Sequence, residues 1–168
     1  MAFATLPPRS YRTRVRRLWQ SYVAMEVVAT ALRVVLVDDD DDARRALRRL
    51  FGACGCTISE FVEGPAALMH LAHHEADLLV TDLEMPGMDG AELVAAVITH
   101  GLTLPVVMVS GRSAAVCEQR LEAKGVGEVH AILEKPVSLA EVRSLVAGLV
   151  ARLAAVTPPH GVRVSADV

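Results

Sequence analysis

Four stretches of this 168-residue chain run from apolar residues into a polar side chain able to do chemistry. Val34-Val35-Leu36-Val37 leads into Asp38-Asp39-Asp40-Asp41-Asp42. Leu78-Leu79-Val80-Thr81 leads into Asp82, then Leu83-Glu84-Met85-Pro86-Gly87-Met88-Asp89-Gly90. Pro105-Val106-Val107-Met108-Val109 leads into Ser110-Gly111, and Ala131-Ile132-Leu133 into Glu134-Lys135-Pro136. Pro86 and Gly87 stop a strand and force a loop. Asp82 therefore falls at the carboxyl end of a buried strand, where ligands sit in open α/β sheets. Taken singly, Asp82 reads equally as a loop acid, Ser110 as a strand-end cap and Lys135 as a surface lysine. Taken together, parallel strands would bring carboxylates, a hydroxyl and an ammonium to one edge.

The elements that must position these groups alternate along the chain. Strands are expected at about 33–37, 57–61, 77–82, 104–110 and 128–133. Helices are expected from Asp42 or a neighbour to about 53, from Gly64-Pro65 to about 74, and from Asp89-Gly90 to about 100. Two more should run over about 113–124 and from 138 to about 154. Pro65 suits a first helical turn, and Ser138-Leu139-Ala140-Glu141 reads as a capping box. Strands alternating with helices imply a parallel sheet with right-handed crossovers. A short tail follows from about 155.

The composition fits such a fold. Hydrophobic residues make up 52% and aromatic residues 4%, so the core must be aliphatic. Valine-rich runs without alternation suit strands covered on both faces. The net charge of -3 gives no reason to expect direct nucleic-acid binding, and no uncharged apolar run reaches the ~18 residues of a membrane span. The start makes a poor signal peptide, so the reading is cytoplasmic. Three cysteines, Cys54, Cys56 and Cys117, form no disulfide or zinc framework and read as small core residues. His70, His73 and His74 share one expected helix and read as a solvated face.

Residues 1–31 are a basic extension. Arg9, Arg12, Arg14, Arg16 and Arg17 lie in its first 25 residues, which hold no acid. Val15, Leu18, Trp19, Tyr22 and Val23 make an apolar stripe at helical spacing. The segment reads as a helix packing on the domain or a second copy, as a basic surface for a membrane or acidic partner, or as unstructured. Met25 offers a second start. The residues do not choose among these.

The combined motifs resemble the receiver domain of two-component response regulators, over about residues 33 to 150. The carriers are the acid pair Asp38-Asp39, the D-x-x-M-P-G-M-D-G stretch from Asp82, Ser110, and Lys135-Pro136. The resemblance implies a flavodoxin-like α/β receiver fold, a doubly wound five-stranded parallel sheet of order 2-1-3-4-5, spanning residues 32–154. Asp38, Asp39 and Asp82 then meet at its switch point. Two charges ~4 Å apart repel by roughly 4 kcal/mol at an effective dielectric near 20, so three carboxylates need a counter-charge. A divalent cation supplies it, and all-oxygen ligation suits Mg²⁺ or Mn²⁺.

By the same resemblance, Asp39 and Asp82 bind the cation directly, Asp38 through water, and Glu84 through its backbone carbonyl. Asp82 is the phosphoacceptor; Lys135 and Ser110 take phosphoryl oxygens. The donor is a phosphohistidine on a sensor histidine kinase or a histidine phosphotransfer protein. The phosphorylated state changes the face of helix 4, strand 5 and helix 5 for an unknown downstream protein, with a homodimer left open. Turnover is confined to its own phosphorylation and dephosphorylation. With only a tail beyond the last helix, the chain reads as a single-domain response regulator. One departure stands out: Ile132 occupies a position where the family often carries an aromatic switch residue. Glu84 and Arg112 fall where the family varies and tunes phosphate lifetime, and could pair across the pocket mouth.

Two other readings compete. A haloacid-dehalogenase-like phosphatase also has an Asp nucleophile, but after its first strand as D-x-D-x-T/V. Here the Thr/Val position is Asp42, and the Met-Pro-Gly stretch goes unexplained. A pseudo-receiver that only binds partners would not need the full set of pocket residues. An EF-hand over the Asp run fails at Ala43 and Arg49, where Gly and Glu are required.

Overall fold

The computed structural model describes residues 31–156. The aliphatic runs become β1 (Arg33–Val37), β2 (Thr57–Phe61), β3 (Leu78–Asp82), β4 (Val106–Ser110) and β5 (Ala131–Glu134). Between and after them lie α1 (Asp41–Gly52), α2 (Gly64–His73), α3 (Gly90–Thr99), α4 (Ala114–Ala123) and α5 (Leu139–Val156). All pairings are parallel, in the order β2-β1-β3-β4-β5. The helix read as one possibility over about residues 10–31 lies, but for residue 31, outside the described residues, as does the tail beyond 156.

Burial explains why the strands lack alternation. β3 and β4 are buried at every position and β1 at all but its first, whereas the edge strands β2 and β5 are partly exposed. Odd and even positions feed two separate cores. On one face Val35, Val37, Leu79 and Met108 pack under α2, α3 and α4. On the other, Val34, Leu36, Val80 and Val109 pack under α1 and α5, around a fully buried Phe51. Each such side chain contributes about 1.5–3 kcal/mol by leaving water.

Side-chain caps mark the starts of α1, α3 and α5. Asp40, rather than Asp42, caps α1, accepting from the backbone N–H groups of Asp42 and Ala43. Asp41 and Asp42 then lie in the first turn, where negative charge suits the helix dipole. Asp89 caps α3 in a reciprocal capping box with Glu92. The expected box at Ser138 forms with Glu141. The fifth strand begins at Ala131 rather than about 128; the His130 N–H already donates to the Val106 carbonyl just ahead of it.

At the opposite edge from the acids, Arg33 and Asp77 tie the feet of β1 and β3. Asp77 accepts from the Arg33 backbone N–H at 2.8 Å and from its Nε and Nη2 at 3.0 and 2.9 Å. These bonds hold the Asp77 carboxyl below its ordinary 3.8. A carboxyl lowered in the fold adds stability above its unfolded value and loses it as pH falls through the folded one. Asp77→Asn should therefore cost about 1 kcal/mol near neutral pH. The gap from the parent in urea unfolding should close as pH falls through the lowered Asp77 value; a gap that persists once that carboxyl is protonated would exclude the charge as its cause.

Candidate functional site

Strand register assembles the site. Val37 pairs with Thr81, so Asp38 and Asp82 leave adjacent strands at the same level. Asp82 pairs with Val109, and Ser110 with Glu134, which places Ser110 and Lys135 one step further along. The Lys135 N–H donates to the Ser110 carbonyl at 2.8 Å. Asp38, Asp39 and Asp82 each offer an oxygen to a cluster whose atoms all lie within 4.8 Å of one another. Asp38 and Ser110 are wholly buried, Asp82 is 9% exposed and Asp39 faces solvent.

Each buried group has a defined partner. Asp38 Oδ1 accepts from the Asp40 N–H at 2.9 Å, and its Oδ2 accepts from Lys135 Nζ at 2.8 Å. The Asp38 carbonyl accepts from Arg44 Nη1 at 2.7 Å, which anchors the acid pair to α1. Asp82 Oδ1 accepts from the Leu83 N–H at 2.8 Å, while Oδ2 lies 3.3 Å from Lys135 Nζ. Ser110 Oγ accepts from the Arg112 N–H at 3.0 Å.

The electrostatics follow from this packing. Burial raises the Asp82 carboxyl, Lys135 opposes the rise, and Asp38 adds to it. Burial works against the Lys135 charge, but the bonds and charges of Asp38 and Asp82 outweigh it and raise the ammonium. Three carboxylates against one ammonium leave the cluster about two charges negative. An all-oxygen donor set with that deficit fits a hard divalent cation.

At the mouth, Glu84 and Arg112 pair as their spacing allowed, with Arg112 Nε 3.1 Å from both carboxylate oxygens. The strand-ending turn is tight: Gly87 takes φ +77° behind Pro86. Gly90 opens α3 directly against the end of β3. Its N–H donates to the Leu83 carbonyl at 3.0 Å, and a Cβ there would stand 2.0 Å from the Asp82 carbonyl oxygen. The sequence reading missed this role, and that of Arg44. The signal for Arg44 is an arginine in the second turn of the helix that the acid pair leads into.

The bland readings elsewhere hold their ground. Cys54 and Cys56 are half-buried against the second core, and burial followed by Cys54 pushes the Cys56 thiol up to about 11. Cys56 is then no thiolate near neutral pH. The His70 and His74 rings stack 4.2 Å apart, with no group of three metal-capable side chains around them among the described residues.

Comparison with known proteins now decides the family. The model of the response regulator receiver domain matches residues 34–147. The chain belongs to the response regulator receiver family. It is similar to the transcriptional regulatory protein PrrA of Mycobacterium tuberculosis, at 32% identity over 76% of this chain and 54% of that protein. It is also similar to the sensor histidine kinase RcsC of Escherichia coli, at 33% identity over 64% of this chain and 11% of RcsC. The chain thus spans about half of PrrA and a small part of RcsC. A putative response regulator from Chloroflexus aurantiacus superposes with TM-score 0.65 at 26% identity, covering 73% of this chain and 100% of that one. The receiver domain of the putative regulator NarL from Mycobacterium tuberculosis gives 0.63 at 27% identity, covering 73% and 98%. The receiver fold and its order of strands are those expected from the motifs. Among the described residues no helix is long and apolar enough to cross a membrane.

Receiver packing at the end of β3 leaves no room for a methyl group on residue 90. Gly90→Ala should cost about 3 kcal/mol, because backbone rather than a flexible side chain must give way. Gly111→Ala, where a Cβ meets nothing within 4 Å, should cost less than ~1 kcal/mol. Urea unfolding of the two variants checks the contrast, and equal losses would refute it.

Proposed function

We propose that residues 32–154 are a phospho-accepting receiver in which Asp82 takes a phosphoryl group from a phosphohistidine. The observation that carries this is the Lys135 ammonium lying between the Asp38 and Asp82 carboxylates, with Asp39 in the same cluster. The Asp82 carboxylate attacks phosphorus, the P–N bond to the donor histidine breaks, and the freed imidazole keeps the nitrogen lone pair. Phosphoryl transfer depends on positioning and charge stabilisation more than on covalent help from the protein. Lys135 and the Ser110 hydroxyl would each meet a phosphoryl oxygen. Mg²⁺, or Mn²⁺, would be held by Asp39 and Asp82, by Asp38 through water, and by the Glu84 carbonyl. When bound, it supplies charge neutralisation at the transferring group.

Asp82 is favoured over Asp38 as nucleophile. Both Asp38 oxygens are engaged, by the Asp40 N–H and by Lys135, whereas Asp82 Oδ2 meets only the looser Lys135 contact. That ordering argues against the phosphatase reading, which needs its nucleophile after β1. A sensor kinase or histidine phosphotransfer protein as donor, a protein partner for output and a cytoplasmic location complete the proposal. The protein's catalysis is confined to its own phosphorylation and hydrolysis.

Incubation with acetyl phosphate and Mg²⁺ tests it by intact mass. The parent should gain one phosphoryl group and lose the gain with a chelator, and Asp82→Asn should gain none. Labelling of the Asn variant at equal yield would place the acceptor elsewhere. Glu84→Ala should change the decay rate of the phosphorylated form by about two- to fivefold and leave the yield of labelling nearly unchanged. Identical decay in parent and variant would remove Glu84 from that role.

A further inference from the structure

The cations around Glu84 form a chain that the phosphoryl chemistry leaves unexplained. Arg112 Nε contacts both Glu84 oxygens at 3.1 Å. Glu84 Oε1 also lies 3.6 Å from Arg120 Nη2, and Arg120 Nη1 lies 3.7 Å from Asp89 Oδ2. One turn further along, at the C-cap of α4, Lys124 Nζ donates to Glu92 Oε1 at 2.8 Å. Glu92 is the capping-box partner of Asp89 at the start of α3. So α4 turns two cations, four residues apart, toward acids on the β3–α3 loop and the first turn of α3. Glu84 is shared between two arginines, and the nearer one holds it. Arg112 is also tied through its N–H to Ser110, the buried hydroxyl that ends β4, the strand paired with β3.

A phosphoryl group on Asp82 adds about -1.5 to -2 of charge and three acceptor oxygens. A guanidinium prefers such a fork of oxygens to a half-exposed carboxylate. Arg112 is the arginine at the pocket mouth, so the new charge competes with Glu84 for it. A released Glu84 then falls to Arg120, whose present contacts at 3.6 and 3.7 Å are loose. Strand β5 offers no rival route of the aromatic kind, since Ile132 carries neither ring nor hydroxyl.

We propose that Glu84 is a shared acceptor that exchanges Arg112 for Arg120 when Asp82 is phosphorylated, so that α4 is gripped by exchange of ion pairs. Arg120 is then a positioning residue for the output face, not a catalytic one. The inference rests on Asp82 being the phosphoacceptor.

Hydrogen exchange of the α4 amides in the full chain tests it, with and without acetyl phosphate and Mg²⁺, and with labelling followed by intact mass. Phosphorylation of the parent should slow exchange in α4 by about two- to fivefold. Arg120→Gln should be labelled equally but lose the slowing. Arg120→Lys should keep part of it, and Glu122→Gln, an exposed acid of the same helix outside the ion-pair chain, should match the parent. Salt at about 1 M, where the Debye length is ~3 Å, should erase the effect in the parent. A labelled Arg120→Gln that slows as the parent does, or a labelled parent whose α4 does not change, overturns the exchange alone. A parent that takes no label overturns the phosphoacceptor reading and this inference with it.

Discussion

Charge crowding at one rim is the constraint on which the rest depends. Three carboxylates converge within 4.8 Å, two of them nearly or wholly out of water. Burying a carboxylate is costly unless it is paired and hydrogen-bonded. The fold meets that cost with a single ammonium placed between Asp38 and Asp82, and with backbone N–H groups on the remaining oxygens. No buried side-chain polar atom among the described residues lacks a partner. The cluster is nonetheless short of positive charge. That shortage suits a cation, and it persists because, among the described residues, Lys135 is the one cation in ion-pair contact with the cluster, through Asp38 and Asp82.

Such a cluster tolerates little positional error, and the sheet supplies the accuracy. A parallel register slip by one residue would turn every side chain to the other face. Here both faces are buried, so both cores resist a slip. The acids are therefore located by valines and leucines that never touch them. Gly90 adds a second lock, since α3 can begin only where the Asp82 carbonyl leaves space. Arg44 adds a third, holding the Asp38 carbonyl from α1.

Much of this was legible in the residues because strand ends were marked twice, by apolar runs and by the turn chemistry that stops them. The five strands, their order and the approach of residues 38, 39, 82 and 135 follow from those marks together with the family resemblance. Less was legible where the cause is a long-range contact with no local pattern. The Arg33–Asp77 tie joins residues 44 apart and looks like two surface charges in sequence. The steric need for Gly90 is set by a carbonyl eight residues earlier. Asp40 caps α1, and a run of five aspartates offers no local means to choose among them. The Glu84–Arg112 pair could be anticipated because both lie two residues beyond marked strand ends, while Arg120 lies ten beyond Ser110 on a helix face.

The ionic chain and an aromatic switch, which Ile132 denies this chain, differ in what they can transmit. A rotating ring is a packing event in a space of fixed size, and it has two states because the core has two ways of closing. Ile132 cannot serve that way: it is β-branched, restricted about χ1, and packed against the core under α2, α3 and α4. Exposed ion pairs are individually weak, about 0.2–1 kcal/mol, and long-ranged pairs fade with salt. They become directional only when one acceptor is shared, because satisfying one cation then leaves the other short. Glu84 is such an acceptor, sitting two residues after Asp82 and reached by cations from the β4–α4 loop and from α4. A receiver built this way would respond in graded fashion to ionic strength, where one built on a buried ring would not.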